Sequence, residues 1–387
     1  MNHLRPKFAE FFAGVGLVRL GLEQAGWDCV FANDIDEKKL GFYRQNFDAD
    51  DYLLKDIWEV ETHEIPDGID LYSASFPCVD LSVAGNRAGI NAARSGTYWA
   101  FVEILKKRKA EGQLPRAILL ENVRGFLTSN EGKDVSLAIE SLNDLGYVTD
   151  IFALDARHFT PQSRPRVFVV GILEDLASNV MNVPSECSIP LDWVSHLENQ
   201  HPSIRDKQIQ KVIFDNPNAR WGLLDIPHPP LRNSSLSSVM EFLEPEDPRW
   251  WTGERHEKTV AQMKSVHLKV LEDKKDGDEP FFGTIYRRKR ATGSMAELRL
   301  DGLAGCLRTP RGGSSKQIVA QAGNGLYRFR WMTPREYARL QGTADNYNLP
   351  ENVTQALFGL GDAVCVPAIR WIGEHILNPI CEPALAQ

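Results

Sequence analysis

Apolar and polar positions follow two different periods along the first 180 residues of the chain. Short apolar runs predict strands, and they read KFAEFF, CVFAND, IDLYSASF, RAILLENV and RVFVVGIL. Longer stretches with helical spacing predict helices, and they read LVRLGLEQAG, DEKKLGFYRQNF, TYWAFVEILKKRKA and KDVSLAIESLNDLG. Strands that alternate with helices of this length predict an α/β fold, with a mostly parallel sheet covered by helices on both faces.

This regular pattern stops near residue 183 and returns near residue 320. The sequence between these points is Pro-rich, contains tryptophans and looks irregular. Thr333, Pro334 and Glu336 then fit a capping box with proline at the first helical position. An amphipathic segment, AVCVPAIRWIGEHIL, closes the chain. We therefore predict three segments, 1–182, 183–320 and 321–387, of which the last completes the first.

Composition excludes several classes of protein. Hydrophobic residues make up 43% and charged residues 25% of the 387 residues, which is typical of a globular chain. No run of 18 apolar residues is present, so we expect neither a signal peptide nor a membrane span, and a cytoplasmic location. The six cysteines form no CxxC pair and no His cluster has ligand spacing, so we expect neither a disulfide scaffold nor a metal site.

Charge is distributed unevenly along the chain, whose formal net charge is −8. Residues 1–180 hold 19 Lys and Arg against 27 Asp and Glu, whereas residues 281–316 hold eight basic residues against two acidic ones. A local basic surplus of this kind favours contact with a polyanion, although a solvated basic loop explains it equally well.

A glycine turn after the first strand predicts a ligand site. Gly14 and Gly16 allow the backbone to turn sharply and approach a ligand. Asp34 ends the second strand about 20 residues later, where a carboxylate accepts hydrogen bonds from ribose hydroxyls. The combination indicates a nucleoside-containing cofactor, with a plain tight turn as the alternative. Asp56 and Ile57 could hold an adenine by one polar and one apolar contact. Such a pair of residues is more commonly a surface aspartate beside a buried isoleucine.

Reactive side chains follow the later strands. Cys78 comes after Pro77 at the end of the strand IDLYSA, and Glu121 ends the strand AILL, so a thiol and a carboxylate converge at one sheet edge. Arg164 and Arg166 stand on alternate positions before the strand RVFVVG, and we expect both guanidinium groups on one face. The alternatives are that Cys78 is an ordinary buried cysteine and that the two arginines only face solvent at the edge of the sheet.

In chain order, the motifs FFAGVGLVRLGLEQAG, NDID, DI, FPCVDLSVAG, ENV, QSRPRVFVVG, RFRWMTPREYARLQG and GDAV resemble those of DNA (cytosine-5) methyltransferases. The resemblance implies a Rossmann-like catalytic domain that binds S-adenosylmethionine, with an irregular target-recognition domain at 183–320. It also implies duplex DNA as substrate, covalent addition of a cysteine to C6 of a flipped cytosine, and methyl transfer to C5.

Carried over position by position, the resemblance assigns individual roles. Cys78 is the expected nucleophile, Glu121 the group that acts on the base, and Arg164 and Arg166 its supports. The expected cofactor residues are Glu10, Phe12, Gly14, Gly16, Asp34, Ile35, Asp56, Ile57, Pro77, Asp362 and Val364. Three positions depart from the family pattern: Leu17 replaces a glycine and is expected to crowd the turn, Val79 follows Cys78, and Asp362 replaces an asparagine.

Two basic stretches are predicted recognition loops, at 283–290 and 307–317. The residues expected to face DNA are Arg287, Arg288, Arg290, Arg308 and Arg311. The Trp-bearing stretch 221–251 is the alternative candidate for the segment that recognises the DNA sequence.

Other functions remain open at this stage. A tRNA cytosine methyltransferase shares the motifs, but the insert of roughly 135 residues favours DNA. An enzyme that methylates amino groups would need an NPPY-like motif, and FPC with ENV does not supply one. A catalytically silent DNA-binding homologue is the third possibility. We expect a monomer associated with the nucleoid through DNA, with a restriction or defence system as partner.

Overall fold

The computed structural model describes residues 5–77, 96–184, 193, 195, 197, 203–290, 293–310 and 315–381. Within it the chain forms two compact units, one of Met1–Asp155, Pro165–Pro229 and Ala368–Gln387, and the other of Ala156–Arg164 and Pro230–Pro367. The described residues among 183–229 thus pack with the first unit, although this stretch begins the predicted recognition domain. Compact packing does not measure function, so the assignment of functional domains stays a prediction.

A seven-stranded sheet forms the centre of the first unit. Its strands are β1 (Lys7–Phe11), β2 (Asp28–Asp34), β3 (Tyr52–Leu54), β4 (Leu71–Ala74), β5 (Ala117–Val123), β6 (Tyr147–Asp155) and β7 (Pro165–Leu173). They lie in the order β3-β2-β1-β4-β5-β7-β6, and β7 alone runs antiparallel to its neighbours. The predicted mostly parallel sheet is therefore confirmed, although the sequence analysis missed β6.

The helices of this unit lie where helical periodicity predicted them. They are α1 (Leu17–Gln24), α2 (Glu37–Tyr43), α3 (Thr97–Ala110) and α4 (Lys133–Leu145). Shorter elements follow the sheet, namely α5 (Glu174–Ala177), β8 (Met181–Asn182), α6 (Lys207–Asp215) and β9 (Leu223–Leu224).

Aromatic packing fixes the strand that leads into the glycine turn. The ring of Phe11, fully buried on β1, lies 5.4 Å from that of Phe31, 5.3 Å from Tyr72 and 5.1 Å from Phe101, measured between centroids. Contacts of this size dominate core energetics, because an aromatic side chain buries a large apolar area. The end of β1 is thus held rigidly at the point where the ligand turn begins.

The second unit contains a four-stranded antiparallel sheet, in the order β11-β10-β12-β13. Its strands are β10 (Phe281–Arg290), β11 (Gly293–Leu298), β12 (Ile318–Gly323) and β13 (Leu326–Trp331). The prediction of a loop at 283–290 is therefore wrong. Four consecutive basic residues conceal the alternation of faces in this strand. Of its two partners, β11 follows closely in the sequence, whereas β12 lies farther along the chain.

Helices complete the second unit and the end of the chain. They are α7 (Leu236–Val239), α8 (Gly253–Ala261), α9 (Ser265–Lys275), α10 (Pro334–Leu340), α11 (Val353–Asp362), α12 (Val366–Ile372) and α13 (Asn378–Cys381). The capping box predicted for α10 is present, with Thr333 and Glu336 bonded reciprocally. By length and composition Val353–Cys381 could span a membrane, but 72% of its apolar window is buried inside the protein, as in a core helix.

A buried ion pair attaches residues beyond 203 to β6. Arg205 and Asp150 are both fully buried and form an ion pair, and the Asp150 carboxylate also accepts the backbone N–H of Leu224 at 2.9 Å. Removing one partner of such a pair leaves a buried charge without compensation.

We expect Arg205→Met to lower the free energy of unfolding by about 3–5 kcal/mol because it leaves Asp150 buried without its cation. Arg220→Met is the matched control, since Arg220 pairs with Glu174 at the surface, where such pairs contribute less than about 1 kcal/mol. Chemical denaturation of both variants measures the difference, and equal losses would contradict this account.

Candidate active site

The turn after β1 has a left-handed backbone at three alternate positions. Phe12, Gly14 and Gly16 have φ angles of 59°, 59° and 80°. A Cβ on Gly16 would lie 2.6 Å from the ring of Phe47, so only glycine fits there. A Cβ on Gly14 would meet nothing closer than 3.9 Å, and the space beside this residue is therefore open to a ligand. Left-handed φ at the non-glycine residue Phe12 is a strained conformation of the kind that clusters at binding sites.

Asp34 anchors the turn to the end of β2. Its carboxylate accepts the backbone N–H of Gly14 at 2.9 Å and that of Asp36 at 3.0 Å, and Lys39 Nζ lies 3.9 Å away. The residue predicted to bind a ribose thus also fixes the shape of the turn. The next side chain, Ile35, is 66% exposed, which is unusual for isoleucine and provides an apolar surface beside the carboxylate.

Asp56 and Ile57 differ in their surroundings. Asp56 accepts the backbone N–H of Trp58 at 3.0 Å and caps a short turn, whereas Ile57 is buried in the core. The exposed apolar surface beside Asp56 is instead that of Trp58, which is 45% exposed and which the sequence analysis missed. The signal available in the sequence was a tryptophan directly after Asp56 and Ile57.

Glu10 is buried at the centre of β1. Its carboxylate accepts the backbone N–H of Arg19 at 3.2 Å. Burial raises the pKa of this carboxyl well above its ordinary value, and the charge and N–H of Arg19 oppose the rise only in part. Arg19 itself is held by Glu23, Tyr43 and Asp51.

The ends of β4 and β5 and the start of β7 bring a carboxylate and a guanidinium together. Glu121 Oε1 lies 2.9 Å from Arg166 Nε, and both side chains are nearly buried. Asn122 Nδ2 donates to the carbonyl of Phe76 at 3.1 Å, which ties the end of β5 to the chain after β4. Pro77 follows Phe76 and is exposed, while Cys78 lies outside the described residues.

Arg164 has a different environment from Arg166. It is buried in the second unit, and its guanidinium donates to the carbonyls of Leu307 at 2.7 Å and Ala363 at 2.5 Å, with longer bonds to Gly361 and Asp362. Arg166 belongs to β7 and Arg164 to the other unit, so the two guanidinium groups have different neighbours, and the expectation of a shared face stays a prediction. The contact of Arg164 with the base stays an untested prediction.

Comparison with known proteins identifies the family. The family model of the C-5 cytosine-specific DNA methylases matches residues 6–378. The chain belongs to this family. It is accordingly a DNA (cytosine-5-)-methyltransferase.

Sequence relatives cover almost the whole methyltransferase. Type II methyltransferase M.HpaII of Haemophilus parainfluenzae is 27% identical over 384 residues, covering 98% of this chain and 91% of the relative. Type II methyltransferase M.NlaX of Neisseria lactamica is 27% identical, with 96% of both chains covered.

Solved structures share the fold of this methyltransferase. The S. pombe Dnmt2 methyltransferase has 17% identity and a TM-score of 0.60, over 97% of this chain and 99% of its own. A putative DNA modification methyltransferase encoded within an E. coli prophage has 16% identity and a TM-score of 0.56, over 97% and 100%. At these identities the likeness shows the fold alone.

Two departures from the family pattern have clear structural settings. Leu17 is the first residue of α1, does not have positive φ, and buries its side chain in the core, so the expected crowding of the turn is not observed. Asp362 is exposed at the last position of α11, where a carboxylate opposes the negative end of the helix dipole. Val364 is buried two residues later.

The predicted DNA-facing arginines are partly described. Arg287 and Arg288 lie on β10, Arg288 Nε lies 3.6 Å from a Glu297 oxygen, and Arg308 is exposed in a loop. Arg290 ends β10, but its side chain, like the whole of Arg311, lies outside the described residues. No contact with DNA is tested by these placements, so all five remain predictions.

Glu10→Gln tests the burial of this carboxyl. Because the folded state keeps the Glu10 proton to higher pH than the unfolded chain does, wild-type stability falls as pH rises from the ordinary carboxyl pKa through the folded pKa. Glutamine does not titrate, so the variant should gain stability relative to wild type over that window and then level off. Urea denaturation across pH measures this, with exposed Glu174→Gln as control; a difference independent of pH would refute the account.

Proposed function

We propose that this methyltransferase transfers a methyl group from S-adenosylmethionine to C5 of cytosine within a specific duplex DNA sequence. The observation that carries the proposal is the Glu121–Arg166 pair at the sheet edge, bonded through Asn122 to the chain two residues before Cys78. A carboxyl, a guanidinium and the residue leading to a thiol thus converge where parallel sheets place their ligands.

The first unit fits the cofactor. Open space beside Gly14, the carboxylate of Asp34 and the exposed surfaces of Ile35 and Trp58 suit a ligand with a polar ribose and an apolar base. When bound, S-adenosylmethionine supplies an electrophilic methyl group on a sulfonium. Phe12, Gly16, Asp56, Pro77 and Glu10 complete the proposed site on this unit, and Ile57 supports it from the core. The cofactor roles of Asp362 and Val364 stay predictions that rest on the GDAV motif.

The chain's own residues must make cytosine electron-rich, because C5 is a poor nucleophile. The Cys78 thiolate adds to C6, and the C6–S bond forms as negative charge develops at N3 and O2. The carboxyl of Glu121 holds a proton at N3 of the cytosine. Arg166 stabilises both this carboxyl and the negative charge on the cytosine, and its own positive charge also favours the Cys78 thiolate. After C5 is methylated, water removes the C5 proton and the C6–S bond breaks, which regenerates the thiol.

Arg164 acts in this scheme as a positioning residue. Its guanidinium holds the carbonyls of Gly361, Asp362 and Ala363, and so fixes the end of α11 from which Asp362 and Val364 extend. Charge-assisted bonds to several carbonyls are stronger than neutral ones, so a buried arginine is well suited to this task.

The target cytosine must leave the DNA stack, because C6 is inaccessible within a duplex. Unstacking costs a few kcal/mol, which protein contacts offset. The polar, glycine-punctuated stretch 84–96 is predicted from the sequence to be a lid over the flipped base, and all but its last residue lies outside the described residues.

The type II names of the relatives support a restriction-modification context. We propose that the enzyme works as a monomer in the cytoplasm, bound to the nucleoid through DNA, and that it protects that DNA from a cognate nuclease. The proposed recognition domain at 183–320 selects the sequence.

Incubation with labelled S-adenosylmethionine and either genomic DNA or tRNA tests the proposal. We expect label in DNA, and bisulfite sequencing then identifies the recognition sequence. Label in tRNA would favour the RNA-modifying alternative, and label in neither would favour a silent DNA-binding homologue.

Cys78→Ala should abolish methylation while DNA and cofactor binding persist, because the thiol serves addition to C6 and not docking. Duplexes that carry 5-fluorocytosine at the target should trap the wild-type enzyme covalently, since fluorine is not eliminated as a proton. Denaturing gels detect the adduct, and Cys29→Ala, on β2, is the control for loss of a thiol. Robust DNA methylation by Cys78→Ala would contradict the proposed mechanism.

Asp362→Asn should lower the cofactor dissociation constant, because an amide donor replaces a carboxylate. The same change removes a negative charge from the C-terminal end of α11 and should raise stability by about 0.3–1 kcal/mol. Titration calorimetry and thermal unfolding measure the two effects. Weaker cofactor binding by the asparagine variant would mean that the carboxylate itself makes a favourable contact.

A further inference from the structure

Two arginines of the second unit lie over the rings of the same pair of tryptophans. The guanidinium carbon of Arg255 lies 4.1 Å from the ring centroid of Trp251 and 4.9 Å from that of Trp331. The guanidinium carbon of Arg287 lies 5.9 Å and 5.3 Å from the same centroids. The indoles contact each other edge to face at 4.9 Å, so they form one platform beneath both cations.

The two side chains reach this platform from different elements. Arg255 is exposed on α8, and Arg287 is half-buried on β10 opposite Ala296 of β11. Trp251 and Trp331 border the hydrophobic cluster of this sheet, which contains Ile285, Ile318 and Phe329. The platform is therefore anchored in a packed core, and the cations above it are held in place.

Among the described residues, neither guanidinium has a protein acceptor for its N–H groups. Within the part of the chain that the structure describes, no carboxylate lies within 4.0 Å of either one and neither side chain donates a hydrogen bond. Other arginines of the unit differ in this respect: Arg249 binds Asp247, Arg299 binds Asp301, and Arg330 binds Glu336.

As far as the structure describes the chain, this arrangement places two positive charges together with no acidic partner. Burial and then the charge of Arg287 lower the pKa of Arg255. The cation–π contacts with the rings still leave guanidinium N–H donors for another ligand. An anion between the two groups would relieve the repulsion and accept these donors.

We propose that Arg255 and Arg287 together grip a phosphate of the DNA backbone, and so position the recognition unit on the duplex without reading its sequence. The inference rests on the proposed function, because it takes DNA as the substrate. A phosphate has enough acceptor oxygens for two neighbouring guanidinium groups, whereas the edge of a guanine takes one arginine in bidentate fashion. Arg255, which lies outside the basic stretch 281–316, is thus a DNA contact that the charge pattern did not reveal.

Salt dependence of binding tests this assignment in the full-length enzyme. Fluorescence anisotropy with labelled duplexes of several unrelated sequences gives the dissociation constant over a series of NaCl concentrations. We expect Arg255→Ala with Arg287→Ala to weaken binding to every duplex about equally and to reduce the slope of log K against log salt by about one unit, as loss of one phosphate contact requires. Arg255→Lys with Arg287→Lys should retain the slope, because lysine still neutralises a phosphate.

Lys258→Ala with Lys264→Ala is the matched control, since it removes two exposed charges from the same helical region and should leave the slope within experimental error. An unchanged slope in the arginine-to-alanine variant would overturn the proposal. So would a loss confined to one sequence, which indicates base reading, or an equal loss in the lysine variant, which indicates damaged packing. A wild-type enzyme that methylates no DNA would instead refute the proposed function, and the same preparations report that activity separately.

Discussion

β7 runs against its two neighbours, and the convergence of the candidate active site depends on this reversal. Parallel strands β4 and β5 end at one edge of the sheet, whereas an antiparallel strand between β5 and β6 begins there. Val123 at the end of β5 therefore pairs with Arg166 near the start of β7, and Arg166 lies within 2.9 Å of Glu121. A parallel β7 would carry its arginine to the opposite edge, so the direction of one strand decides whether acid and guanidinium meet.

Polar groups fix the other half of the site by binding the backbone. The Asp34 carboxylate holds the N–H of Gly14, which keeps the turn open beside that residue, and Glu10 holds the N–H of Arg19 at the start of α1. Buried polar groups of this kind must be satisfied, and each one therefore specifies a single geometry. The same residues that are proposed to meet the cofactor thus also determine the shape of its site, so substitutions there are expected to change binding and stability together.

The second unit shows how aromatic packing organises charge. Trp251 and Trp331 pack with the hydrophobic core of the sheet and also make cation–π contacts with Arg255 and Arg287. Acidic partners neutralise Arg249, Arg299 and Arg330 in the same unit, which limits the uncompensated charge to selected positions. A chain with a net charge of −8 can therefore present a local cationic surface, because what a polyanion meets is the local arrangement of charges.

Periodicity, capping and turn chemistry determined much of this protein from the sequence alone. They gave the α/β alternation, the bounds of α3 and the capping box at Thr333, because these features depend on residues only a few positions apart. The tertiary structure alone decided the environment of Arg164 and the pairing of Arg255 with Arg287, since each depends on partners many positions away. It also decided that the strand at 281–290 lies between its close partner β11 and the more distant β12. Local sequence determines which side chains can share a helix or strand face, whereas long-range packing determines which distant groups come into contact. A highly charged strand has too little hydrophobic alternation to be predicted from its sequence pattern.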